Sequence, residues 1–146
     1  EFVVGKYLAS VTLIVVGLVF TVIHCFTLVS VGAHIDYGAV LTGYMGLVFV
    51  GAFYAAVGTF ASSVTDNQVV ALIIAMAIVI AFYLMDKLLI FMPVNVSGVI
   101  QYLSTEYHLS NISRGVVDSR NLVYFASMIW LFLVLTIRVL EIRKWR

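Results

Sequence analysis

The sequence predicts an all-α fold, a polytopic membrane helical bundle with four spans and an outer amphipathic or re-entrant helical element. Three observations predict it. First, the 146 residues are 64% hydrophobic and only 10% charged, against roughly half apolar and a quarter charged in soluble domains. So few charges cannot cover so large a core in water, and a lipid solvent removes the difficulty. Second, mean hydropathy is +1.16, and lipid admits only helices or a closed barrel, because backbone groups must be satisfied internally. Third, barrel strands alternate apolar and polar positions, whereas residues 69–85 are apolar throughout.

The first span, about 7–31, carries no charge and follows Lys6. About twenty apolar residues suffice to cross the hydrocarbon core at the rise of a helix. A polar connection through His34 and Asp36 leads to the second span, about 39–61, which is rich in Gly and Ala. Gly51 and Ala55, continued by Gly58 and Ser62, have small-x-x-x-small spacing. That spacing lets helices approach closely, and packing within the subunit is favoured over a dimer seam. Thr65 and Gln68 have capping-box spacing, with Asp66 suited to the positive end of the next helix. The third span is therefore set at about 66–85. Asp86 and Lys87 then mark an interface, their charges pointing to different helix faces, rather than an ion path.

Residues 88–118 break the pattern. Pro93 interrupts an apolar run at 88–92. Val96, Val99, Ile100, Leu103 and Tyr107 then recur at helical spacing among polar residues, predicting one amphipathic interfacial helix. A second short turn or helix is expected around 112–117. Arg114 and Asp118 are spaced to pair on a helical face, a contact worth about a few tenths of a kcal/mol if exposed. The fourth span is set at 121–138, with Asp118 or Ser119 as its N-cap and Arg138 reaching to the headgroups.

Four spans put both termini on one side. That side holds Lys6, Arg138, Arg143, Lys144 and Arg146, and the other holds Lys87, Arg114 and Arg120. The bias predicts cytoplasmic termini in a cell inner (plasma) membrane. The net charge of +1 points to no nucleic acid. Cys25 is the single cysteine, so it forms no internal disulfide and reads as a small apolar residue. The chain opens Glu1-Phe2, with no signal-peptide pattern, and reads as starting inside a longer protein.

Catalytic patterns are missing. The sequence contains no phosphate-binding loop, no nucleophile elbow and no H-E-x-x-H pair, so ATP hydrolysis would have to come from another chain. His24, His34 and His108 lie in three different regions, without metal-ligand spacing. No metal, cofactor or catalytic residue is therefore expected. For His24, within the first span, a helix-to-helix hydrogen bond or a wet interface is favoured over a functional role. The sequons at Asn95 and Asn111 read as accidental.

Glu1-Phe2-Val3-Val4-Gly5-Lys6-Tyr7-Leu8 resembles the segment before the third span of type-2 ABC exporter permeases, the gliding-motility type in particular. Three further stretches agree in order and spacing: Ser62-Ser63-Val64-Thr65-Asp66-Asn67-Gln68, Ser113-Arg114-Gly115-Val116-Val117-Asp118 and Leu122-Val123-Tyr124-Phe125. The basic tail Arg143-Lys144-Trp145-Arg146 also fits. The resemblance covers essentially all of 1–146. It implies a partial permease domain, the last four of six spans, in a homo- or heterodimeric pore in the lipid bilayer served by a separate ABC ATPase subunit. Glu1, Gly5 and Lys6 would couple to that ATPase. Thr65, Asp66, Asn67 and Gln68 would shape the inner turn, and Arg114, Gly115 and Asp118 the outer gate. Two other classes compete. A membrane enzyme would need His24, Asp86 or His108 to converge as acid and base. An anchor or assembly subunit would bind its complex without transport.

Overall fold

The computed structural model describes residues 1–32, 34–88, 93–115 and 118–144. The fold is all-α, and no strand occurs among the described residues. Helix α1 covers Phe2–Ser30, α2 Tyr37–Val64, α3 Gln68–Leu88, α4 Val94–Leu103, α5 Thr105–Ser113 and α6 Ser119–Lys144. Four of them, α1, α2, α3 and α6, are long and apolar enough to cross a membrane. The helices outrun the apolar spans expected from the sequence. With 29 residues, α1 is about 43 Å long at 1.5 Å per residue, beyond the ~30 Å of a hydrocarbon core. A backbone hydrogen-bond ladder does not stop where hydrophobicity does.

Local chemistry sets the ends. Gly32 has φ +84° just beyond α1, a conformation that costs a glycine little. The Asp36 carboxylate accepts from the Gly38 amide at 2.9 Å and starts α2. The expected capping box is not what starts α3. Asn67 Oδ1 accepts from the Val69 amide at 2.9 Å and the Val70 amide at 3.4 Å. Thr65 Oγ1 instead accepts from the Asn67 amide at 3.2 Å, within the turn. The helix begins at Gln68, and Asn67 is the residue whose short side chain reaches its first free amides.

The predicted single amphipathic helix after Pro93 is two helices. Ser104 is extended (φ −73°, ψ 125°), ends α4, and caps α5 by accepting from the Tyr107 amide. The apolar periodicity through Tyr107 crosses this break, because Thr105, His108 and Ile112, not Leu103 and Tyr107, make the buried stripe of α5. Residues 89–92, the Val96 side chain, residues 116–117 and the tail at Trp145 and Arg146 lie outside the described residues.

Helix α2 is the centre of the bundle, packed against α1, α3, α5 and α6. It contributes nine buried residues, while α1 and α3 contribute none. Its small side chains explain this. A Cβ on Gly51 would meet Ile14 Cγ2 of α1 at 2.8 Å, and one on Gly46 would meet Leu109 of α5 at 2.9 Å. Close approach of this kind is the main source of helix association where lipid competes for apolar surface. Between the helices Phe53 is fully buried, edge-on to Phe82 of α3 at 5.3 Å and to Phe132 of α6 at 5.8 Å.

Candidate functional site

The start of α1, the end of α6 and the α2–α3 turn share one end of the bundle, where a polar clasp joins three helices. Lys6 of α1 donates to the Ser62 hydroxyl near the end of α2 at 2.6 Å. Arg143 of α6 donates from one guanidinium nitrogen to the Ser63 carbonyl at 2.8 Å and pairs through another with Asp66. Ser63 lies in the last turn of α2, where carbonyls lack helical partners, so Arg143 supplies a donor and a positive charge to that negative end. A cavity of about 80 Å³ beneath the clasp is bordered by Phe2, Lys6, Thr59, Ser62 and Thr136. The buried hydroxyls of Thr59, Ser63 and Thr136 donate back to Ala56, Phe60 and Phe132 of their own helices. They are therefore satisfied locally and leave Lys6 and Arg143 to bridge between helices.

The other predicted residues at this end hold different positions. The Glu1 carbonyl accepts from the Gly5 amide at 2.9 Å, and both residues are exposed. Gln68 is exposed at the first position of α3. Arg138, one turn before the clasp, pairs with Glu141 at 3.4 Å.

The opposite end carries α4 and α5. There the His108 ring is 1% exposed and stacked on Tyr124 of α6 at 3.9 Å and 17°. Its Nδ1 lies 2.8 Å from Asn121 Oδ1 of α6, and its Nε2 lies 3.0 Å from the Tyr102 carbonyl of α4. Tyr124 Oη donates to the next carbonyl, Leu103, at 2.7 Å. Two side chains thus serve two carbonyls at the C-terminus of α4. Asn121 Nδ2 is buried beside them without a hydrogen-bond partner.

The predicted gate residues lie in the connection from α5 to α6. Arg114 follows α5, Gly115 has φ +86°, and Asp118 Oδ1 accepts from the Arg120 amide at 3.0 Å as the cap of α6. Arg114 and Asp118 therefore do not share a helical face, because α5 has already ended. Asp86 and Lys87, expected to diverge, pair at 3.6 Å.

Gly51 and Ala55 both face α1, whereas a Cβ on Gly58 would meet nothing within 4 Å. An apolar groove of about 830 Å³ opens between α1 and α2 toward the far end, with a half-buried Cys25 in its wall. His24 is exposed on α1. His108 bonds to Asn121 and Tyr102, not to His24 or Asp86. Among the described residues no group of three His, Cys, Asp or Glu side chains is placed to hold a metal ion.

Sequence reasoning missed two things. Along the sequence Arg143 stands in a basic tail, and its partner Asp66 is 77 positions away. The His108–Asn121–Tyr124 box has one local signal, the helical spacing of Thr105, His108 and Ile112, which is masked because two of the three are polar. Compared with protein families, characterised proteins and solved structures, the chain finds no match.

Proposed function

We propose that this chain is the membrane-spanning permease subunit of an ATP-driven exporter, working with a separate ATPase subunit. The observation that carries the reading is the clasp. Lys6, in the segment that resembles the family's coupling region, is one hydrogen bond from Ser62, and the neighbouring Ser63 and Asp66 are held by Arg143. A push on the start of α1 therefore acts on α2, on the α2–α3 turn and on α6 together. The work of such a subunit is conformational, which fits a sequence without a phosphate-binding loop.

In this reading the clasp end, which holds Lys6, Arg138 and Arg143, faces the cytoplasm of an inner (plasma) membrane. Glu1, Gly5 and Lys6 receive the ATPase, Thr65 to Gln68 form the inner turn, and Arg114, Gly115 and Asp118 border the outer gate. A second permease copy or a related permease completes the pathway.

The test is purification of the protein from its native membrane, followed by detection of a co-purifying ATPase and measurement of transport. Lys6→Ala is expected to lower transport-coupled ATP hydrolysis while leaving the protein in the membrane. A complex without an ATPase, together with transport untouched by Lys6→Ala, overturns the reading in favour of an anchor or assembly subunit.

A further inference from the structure

We propose that a cleft between α1 and α2 beneath Lys6 binds an anionic phospholipid, with the lipid phosphate on the Lys6 ammonium and the upper part of an acyl chain in the cleft. The charges at the clasp end are unevenly matched. Arg143 pairs with Asp66, and Arg138 pairs with Glu141. Lys6 donates to a neutral hydroxyl, that of Ser62, and forms no ion pair among the described residues. Glu1, five residues earlier, lies about 140° away around α1. An ammonium has three donors, so Lys6 keeps donors for an anion after Ser62 has taken one.

The cleft favours an anion with a hydrocarbon chain. Its volume is about 570 Å³, and Lys6, Ala9, Leu13, Ile14, Tyr54 and Ala55 border it. It is separate from the larger groove farther along the same two helices. The Ser10 hydroxyl at its edge is already engaged, donating to the Lys6 carbonyl at 3.0 Å. Ala9, Leu13, Ile14 and Ala55 therefore present hydrocarbon below the ammonium. From Lys6 to Leu13 is about 10 Å along the helix axis. The cleft ends where α1 and α2 close up, at the place where a Cβ on Gly51 would meet Ile14 Cγ2 at 2.8 Å.

A free phosphate would use the ammonium and leave these walls idle. A lipid uses both. Its phosphate sits at the headgroup level, which a lysine at the end of a span reaches, and its chain descends from there toward the bilayer centre. Zwitterionic lipids carry their own cation beside the phosphate, so the unmatched charge of Lys6 selects a lipid with net negative charge. The site requires that α1 and α2 cross a membrane. It does not require that the chain transports anything, and its readout needs no ATPase.

The test places the full-length protein in phosphatidylcholine vesicles that contain a small share of photoactivatable lipid. That lipid is either phosphatidylglycerol or phosphatidylcholine, with a diazirine in the upper part of its acyl chain. Cross-links are mapped by peptide mass spectrometry. The ratio of phosphatidylglycerol to phosphatidylcholine labelling over residues 9–14 is compared with the ratio over residues 69–73, a largely exposed apolar stretch at the same end of the bundle. The cleft ratio is expected to be about fivefold the higher, the effect of one lysine near anionic headgroups. Lys6→Gln should lower it to the value at 69–73, and Lys6→Arg should keep most of the excess. Ala55→Leu, with a larger side chain in the cleft, should lower labelling of 9–14 by both lipids. Unchanged labelling over 69–73 shows that each variant stays embedded. Equal ratios at the two places, an excess that survives Lys6→Gln or is lost equally in Lys6→Arg, or an Ala55→Leu profile identical to the parent's overturns the site. So does an excess abolished by inorganic phosphate but not by sodium chloride of equal ionic strength, which would make a free anion the ligand.

Discussion

Arg143 uses one guanidinium for two purposes, and these can be separated. Asp66 is 89% exposed, and an ion pair in that position contributes little, so Asp66→Asn is expected to cost less than about 1 kcal/mol. The Ser63 carbonyl belongs to a buried residue at the end of α2. Arg143→Ala is therefore expected to cost about 2 kcal/mol, the scale of a lost charged hydrogen bond. Thermal unfolding of the detergent-purified variants measures both, and equal losses would show that the ion pair, not the carbonyl, is what Arg143 serves. A second residue-scale contrast lies in the glycines. In Gly51→Ala the new methyl runs into Ile14 Cγ2 at 2.8 Å, on a β-branched side chain with little freedom to turn away. Overpacking of that kind costs about 1–3 kcal/mol. Gly58→Ala meets nothing within 4 Å and should stabilise by up to about 1 kcal/mol through helix propensity. The same unfolding assay checks the opposite signs.

At the scale of elements, the boundaries depend on single side chains. Asn67 offers its Oδ1 to two amides of α3, so Asn67→Ala should cost about 1 kcal/mol. Gln68→Ala, at an exposed position outside the cap, should change stability by under about 0.5 kcal/mol. The reverse ranking in denaturant or thermal unfolding would restore the capping box. The α4–α5 pair depends on more than its own sequence. The C-terminal carbonyls of α4 are served by His108 of α5 and Tyr124 of α6, so α4 ends where it does because two other helices supply donors. Ser104 then starts α5 with its own side chain. This end of the molecule is a set of short helices holding one another's termini, whereas the opposite end is a clasp between long ones.

At the scale of the whole molecule, α2 is the hub and α1 is the least enclosed helix. Apart from His24, the large side chains exposed on α1 from Leu13 to Val29 are aliphatic or aromatic, a surface suited to lipid. The chain is expected to remain in the membrane fraction after alkaline extraction. Cysteines introduced at Asp66 and Ser110, in a Cys25→Ser background, should be labelled by an impermeant reagent from opposite faces of sealed vesicles. Labelling of both from one face would rule out the four-span arrangement. The groove between α1 and α2 and the clasp lie toward different ends of the bundle, so substitutions in one should leave the hydrogen bonds of the other intact.

The sequence by itself determined that this protein is a helical bundle and which four stretches can cross a membrane. Hydrophobicity and its length along the chain are local quantities, and a lipid solvent leaves the backbone almost no alternative to helix. It also marked the polar residues at each turn, including Asp66, Asn67, Asp118 and Gly115. Tertiary structure alone decided what those residues touch. Thr65 and Asn67 compete for the same free amides, and the actual path of the turn selects Asn67. The apolar period through Leu103 and Tyr107 is interrupted because Thr105 and His108 find buried partners on other helices. Arg143 reaches the end of α2 only once α6 is packed beside it. Hydrogen bonds between residues far apart in sequence depend on which helix faces which, and no periodicity along a single segment carries that information.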